Sequence, residues 1–322
     1  MTARTAVVLC NLGGPDSLRA VRPFLYNLFR DPDIIRLPLG FLVQKPLAAL
    51  IAWRRAPEAA KGYAALGGKS PLLENTQAQA QALAQALASA GTYDVHVCMR
   101  YWHPLTAEVV ARLKATAYAR VVLLPLYPQY SATTSGSSHN EFLRQCRRQN
   151  YAPEIRFVRE WHPEPDYLAG MVETLRAEVE RFPDADPGRI EVLFSAHGLP
   201  RRVVDRGDPY ARQIEATVAA LRARLGWPHT TLCYQSRVGP LEWLRPYTED
   251  VIREKAARGA KQILVYPIAF VSDHVETLYE LGVQYAGLAR ALGVAHYRVT
   301  PALNAHPRLI AALKNLVLKA AA

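Results

Sequence analysis

The sequence predicts an α/β protein of two similar doubly wound halves, each a parallel sheet covered by helices, with the ligand in a cleft between them. Three observations predict it. Short, nearly continuous apolar runs alternate with longer amphipathic ones along the whole 322 residues, the pattern of parallel strands buried on both faces. The runs fall into two sets of about equal size. Each set opens with a strand leading into a small-residue turn, VVLCNLGGPDS in the first and EVLFSAHGLPRR in the second.

In the first half the apolar runs predict strands at Ala6–Leu12, Tyr93–Tyr101, Arg120–Leu126 and Glu154–Val158. In the second they predict Ile190–Phe194, Thr230–Tyr234, Gln262–Phe270 and Ala295–Val299. Helical periodicity fills the intervals at Gln77–Ala90, Thr106–Ala117, Ser138–Gln149 and Pro165–Arg181, then at Pro209–Leu225, Tyr247–Arg258, Val275–Leu292 and His306–Ala320. The halves, 1–160 and 161–322, join near residues 155–165. In folds of this kind ligands sit beyond the carboxyl ends of the strands, so functional residues are expected just after each apolar run.

The formal charge of +11 favours an anionic partner, and charge alone does not choose among nucleic acid, an acidic membrane surface and an acidic small molecule. Cys10, Cys98, Cys146 and Cys233 lie far apart with no metal-ligand spacing, which predicts free, mostly buried thiols in a reducing compartment. The N-terminus has no signal-peptide pattern and no apolar run reaches spanning length, so a cytoplasmic protein is expected. Residues 36–57, RLPLGFLVQKPLAALIAWRRAP, are apolar but broken by Pro38, Lys45 and Pro46 and close on Trp53, Arg54 and Arg55. They read equally as a core helix with a basic cap or as an exposed membrane foot or cleft lip. Neither G-x-G-x-x-G nor a P-loop occurs; SATTSGSS, 131–138, has the makings of an anion nest, with a flexible loop as the plainer account.

The chemistry-bearing stretches lie at strand ends. In SDHVETLYEL, a helix starting near Asp273 sets Asp273, Glu276 and Glu280 on one face, with His274 beside them. Asp273 as N-cap and Glu276 at the third position would make a capping box, which accounts for neither Glu280 nor His274. His197 in SAHGLP sits on a tight turn after an apolar strand, placed as a base or metal ligand, or simply as a loop histidine bonded to backbone. QSRVGPLEWLRP offers Ser236, Arg237 and Trp243 as the wall of a flat aromatic ligand's pocket, although Trp243 alone reads as core. MRYWHP adds Arg100 and Tyr101. Aromatics and cations recurring at strand ends suggest a large, flat, anionic ligand.

Taken in order, NLGGPDS, RYWHPLT, YPQYSATTSGSS, SAHGLP, QSRVGPLEWLRP and PIAFVSDHVETLYEL resemble the ferrochelatase family from about Ala6 to Asn304. The form of the last two is similar to its protoporphyrin branch. The resemblance implies a chelatase fold of two Rossmann-like domains and an enzyme, a lyase, that inserts ferrous iron into protoporphyrin IX to form protohaem. It implies that His197 is metal ligand and pyrrole-proton acceptor, that Glu276 shares the catalytic and metal-binding work, and that Asp273, His274 and Glu280 form a proton and metal conduit. Arg55, Ser70 and Arg237 fall where propionates are held; Leu12, Tyr63, Arg100, Tyr101, Ser236 and Trp243 fall on pocket-lining positions. The family often has Ser where Gly198 stands and Trp where Tyr234 stands. No cysteine follows Cys233, so no [2Fe–2S] cluster is expected; iron and porphyrin come as substrates, and no cofactor is permanently bound. Segment 36–57 becomes the lip of the porphyrin cleft, with a peripheral membrane contact left open.

Three rivals remain at this level: a chelatase for coproporphyrin or sirohydrochlorin, a non-catalytic haem or porphyrin carrier, and a nucleic-acid binder. The carrier would not need Glu276. The binder is disfavoured because the arginines fall in separate loops rather than one stripe.

Overall fold

The computed structural model describes residues 4–35 and 40–322. It divides into two units. One runs to Trp161 and takes in Ile310–Ala322; the other spans His162–Leu309.

In the first unit β1 (Thr5–Asn11) is buried along its whole length. It is followed by α1 (Val21–Phe29), α2 (Gly40–Ala65) and α3 (Leu72–Leu87). Then β2 (Tyr93–Met99), α4 (Thr106–Thr116), β3 (Arg120–Pro125), α5 (Ser137–Arg148) and β4 (Glu154–Phe157) alternate. The sheet is parallel with order β2-β1-β3-β4. Its buried face carries Ala6, Val8, Val121 and Leu123 against Val109, Leu113 and Phe142 of the covering helices. Each of these valine, leucine and phenylalanine side chains, fully buried, contributes about 1.5–3 kcal/mol.

The second unit repeats the plan. After α6 (Pro165–Val179) come β5 (Glu191–His197), the short α7 (Arg201–Asp205), α8 (Tyr210–Leu225), β6 (Thr230–Gln235), α9 (Thr248–Ala257) and β7 (Gln262–Tyr266). A widely wound π-helix, Glu276–Tyr285, runs into α10 (Ala286–Ala291), and β8 (His296–Val299) closes the sheet. The order β6-β5-β7-β8, again all parallel, matches the first sheet. Local chemistry sets the ends: the Glu164 carboxylate accepts from Tyr167 N at 2.8 Å with Pro165 opening α6, and Gly226 closes α8 at φ +66. Leu193, Ile263 and Val265 pack on Val251, Ile252, Leu281 and Ala289.

Several expectations are corrected. The last helix, α11 (Pro307–Ala321), belongs from Ile310 onward to the first unit and not to the C-terminal half. The segment expected as one α-helix, Val275–Leu292, is π-wound from Glu276 to Tyr285. Asp273 and Glu276 form no capping box, because Asp273 N donates to Asn304 Oδ1 and the Asp273 carboxylate accepts from Thr277 Oγ1, Ala302 N and Asn304 Nδ2. The β7 run stops at Tyr266 rather than Phe270. Of segment 36–57, residues 36–39 lie outside the described residues; the rest is helical, with Pro46 and Pro57 inside α2. All four cysteines are free and buried.

Candidate functional site

Within the second unit, two imidazoles converge on one carboxylate. His197 ends β5, and its Nδ1 lies 2.5 Å from the Gly198 carbonyl oxygen. His274 Nδ1 lies 3.1 Å from the Ser272 carbonyl oxygen. Carbonyl oxygens only accept, so in both rings Nδ1 carries the proton, and in the neutral rings the lone pair sits on Nε2. Both Nε2 atoms face Glu276 Oε2, at 3.8 Å from His197 and 3.5 Å from His274. That oxygen is buried and has no hydrogen-bond partner. Burial pushes the Glu276 carboxyl up, but the charge that the His197 and His274 rings carry when protonated outweighs it and holds the group at about 2. The phenyl ring of Phe270 lies 6.3 Å from the His197 ring and 4.4 Å from that of His274, walling the group with an apolar face.

The winding of the helix places the second carboxylate. In an α-helix residues 276 and 280 would already be neighbours; the π-helix carries a longer turn and aims Glu280 at the end of β6. There its carboxylate accepts from Ser236 N at 2.9 Å, Ser236 Oγ at 2.5 Å and Tyr285 OH at 3.1 Å. Ser236 stands at φ +64, a conformation costing a non-glycine residue about 1 kcal/mol or more, and it delivers both its donors to one carboxylate. Burial, and next the charge of Glu276, push Glu280 up. Two neighbouring carboxyl groups are thus driven in opposite directions. Beneath them Gln235 donates to the Glu276 carbonyl and to Glu280 Oε2, both at 3.4 Å, while its Oε1 accepts from Ser195 Oγ at 2.7 Å.

Other expected residues take more structural places. Asp273 holds the 302–304 loop and does not join Glu276 and Glu280 on one face. Trp243 is buried, its Nε1 donating to the Val238 carbonyl, its ring 6.3 Å from that of His197. Arg237 and Arg245 both lie over the Tyr247 ring, at 4.7 and 4.4 Å. They help line a 220 Å³ cavity with Ser236, Tyr285, Glu249 and Asp250. A larger cavity of 540 Å³, lined by Glu191, Lys255, Lys261 and His296, lies at the amino ends of β5, β7 and β8, the opposite end of the strands from the convergent histidines and carboxylates.

In the first unit Tyr101 is 1% exposed, and its hydroxyl is spent on Asp31 at 2.6 Å; it underpins rather than lines a surface. Asp31 also accepts from Arg100 Nη2 at 2.8 Å and from Ser137 Oγ, so Arg100 is oriented by a buried ion pair. Ser70 is buried with its hydroxyl accepting from Leu72 N. Tyr63 is buried, Leu12 is half-buried, and Arg55, half-buried over the Phe29 ring at 5.8 Å, has its pKa lowered by burial. Sequence reasoning missed Asp31, Gln235, Tyr285 and Phe270; only Gln235 carried a signal, as a polar residue closing an apolar strand.

Among the described residues, no group of three or more His, Cys, Asp or Glu side chains is arranged to hold a metal ion. The convergence is a meeting point of lone pairs with a charged carboxylate, suited to receiving a cation or proton in passing.

Two parallel-sheet units of this kind are the fold of the chelatases. The sirohydrochlorin chelatase SirB from Bacillus subtilis subspecies spizizenii superposes with a TM-score of 0.58 at 10% identity, covering 99% of this chain and 95% of that one. A multi-domain Deinococcus radiodurans protein described as similar to chelatases gives 0.53 at 15% identity, over 98% of this chain and 55% of its own. Sequence comparison is more specific. The ferrochelatase family model matches residues 4–321. Ferrochelatases from Cyanothece sp. and Gloeobacter violaceus are 49% and 47% identical over 98% of this chain, covering 82% and 98% of their own lengths. The chain belongs to the ferrochelatase family.

Proposed function

We propose that this protein is a protoporphyrin ferrochelatase, a lyase inserting ferrous iron into protoporphyrin IX to form protohaem. The observation that carries the reading is the buried, unpartnered Glu276 Oε2 faced by the Nε2 atoms of two histidines. Family membership supports the same activity.

Insertion must take two protons from pyrrole nitrogens and strip water from a divalent cation. His197, with Nδ1–H anchored to backbone, offers Nε2 to a pyrrole proton or to the metal. Glu276, held ionised, attracts the cation and offers it a hard oxygen. Glu280, pushed up by burial and by the charge of Glu276, is the more readily protonated of the two and takes the complementary part; neighbouring carboxyls driven apart divide acid from base. His274 orients Glu276. Asp273 serves the conduit indirectly, by fixing the loop behind it. Arg55, Ser70 and Arg237 are assigned to the propionates, with Leu12, Tyr63, Arg100 and Trp243 as porphyrin contacts. Tyr101 supports Arg100 through Asp31, and Ser236 supports Glu280. The exposed Leu42, Val43, Leu50 and Trp53 of α2, with Lys45 and Arg54 beside them, support a peripheral membrane contact.

The test mixes protein, protoporphyrin IX and ferrous iron anaerobically and follows loss of porphyrin fluorescence with growth of the haem spectrum. Wild type should convert protoporphyrin faster than coproporphyrin III. His197→Ala and Glu276→Gln should lose about 100-fold or more in kcat while still binding porphyrin. Tight binding with no turnover by wild type would leave a carrier and refute the enzyme.

A further inference from the structure

His197 bears the proposed chemistry, yet its own ring does not decide where Nε2 points. The peptide joining His197 to Gly198 is held on both edges. Its carbonyl accepts a hydrogen bond from Tyr210 OH at 2.9 Å. Its N–H, that of Gly198, donates to the Gln235 carbonyl at 2.9 Å. One bond further along, the Gly198 carbonyl is the acceptor for His197 Nδ1–H. The imidazole therefore leans on the same short piece of backbone that Tyr210 grips from α8 and Gln235 grips from β6.

Crowding closes the remaining freedom. A Cβ on Gly198 would stand 3.0 Å from the Gln235 carbonyl oxygen and 3.1 Å from Trp243 Cε3, so the turn sits hard against both. The Leu199 carbonyl accepts from Leu244 N at 3.0 Å, tying down the next peptide. Tyr210 is the first residue of α8 and is buried. Its partner, a carbonyl, only accepts, so the hydroxyl is the donor; burial pushes the phenol well above its ordinary value and keeps it protonated.

We infer that Tyr210 is a positioning residue for His197, clamping the His197–Gly198 peptide so that Nδ1–H stays on the Gly198 carbonyl and Nε2 stays aimed at Glu276. A merely structural tyrosine would satisfy its buried hydroxyl and do no more. The inference deepens the proposed function and rests on it for its kinetic consequence, while its geometric content stands alone. Partners of this kind, acting through a reactive imidazole, typically shift activity by about 10–100-fold when removed.

Tyr210→Phe removes one oxygen and keeps the ring. In the ferrochelatase assay, kcat should fall by about 10–100-fold with KM for porphyrin within about twofold. In ligand-free protein carrying 15N-histidine, the uncharged ring of wild-type His197 should show Nδ1 protonated and Nε2 bare. The variant should show a mixture of the two tautomers. An unchanged His197 pattern, or kcat within about twofold of wild type, overturns the clamp. If wild type turns over no porphyrin, the proposed function fails, and the nitrogen spectra still decide the clamp. Should Tyr210→Phe lose its fold, the wild-type nitrogen spectrum alone decides: a His197 ring without its proton on Nδ1 overturns the clamp.

Discussion

Glu276 is a carboxylate with a stability consequence as well as a chemical one. Its group is held at about 2 against an ordinary 4.5. A carboxyl whose value is lowered on folding contributes stability that is complete above its unfolded value and is lost as pH falls through the folded one. Wild type should therefore exceed Glu276→Gln in melting temperature near neutrality. The gap should close as pH drops below about 4.5 towards about 2. A gap independent of pH would mean that the imidazoles do not hold the charge. The same residue shows what single positions reveal in sequence: an acid in a helical first turn has an ordinary capping explanation, and only its three-dimensional partners displace that account. Ser236 was legible as a polar strand end but not as a strained one, because a positive φ on serine has no sequence signature.

At the scale of elements, all eight strands were readable, since near-continuous apolar runs bounded by turn residues have few alternatives. The helices fared less evenly. The α2 helix was only one of two readings of 36–57, because Pro46 and Pro57 lie inside it and proline ordinarily ends or kinks a helix, and its apolar residues do not keep to one side: Ala48 and Ala52 are buried while Leu42, Val43, Leu50 and Trp53 are exposed. That exposed apolar set, beside cations, carries a prediction. The protein should co-sediment with anionic lipid vesicles, and Leu50→Ala/Trp53→Ala should weaken binding by about tenfold or more, from the lost apolar burial. Equal sedimentation of wild type and double variant would remove the membrane contact. The π-helix was invisible for another reason: the residues suit an α-helix, and the wider turn has no sequence signature.

At the scale of the whole molecule, the two-half plan was legible from the alternation and from the paired strand–turn openings, and the shared strand order of both sheets is its physical counterpart. What composition did not carry is the return of Ile310–Ala322 to the first unit. An amphipathic helix looks the same whichever sheet it covers. Ala312, Leu313 and Val317 are fully buried, and Arg120 Nη1 donates to the Ala321 carbonyl at 2.8 Å. Removing residues 310–322 should accordingly loosen the first unit more than the second. Hydrogen exchange would show it as protection lost in residues 4–161 with 162–309 nearly unchanged; uniform loss across both units would contradict the division.

That return also sets a schedule for synthesis. Chains are made at about 5–20 residues per second, so the stretch His162–Leu309 occupies roughly 7–30 s of translation. During that interval residues 4–161 are already synthesised, while the helix that completes their unit has yet to be made. The second unit, contiguous in sequence, has no such wait. The nascent first unit thus waits seconds for the buried Ala312, Leu313 and Val317, the period in which a holding chaperone would be of most use to it.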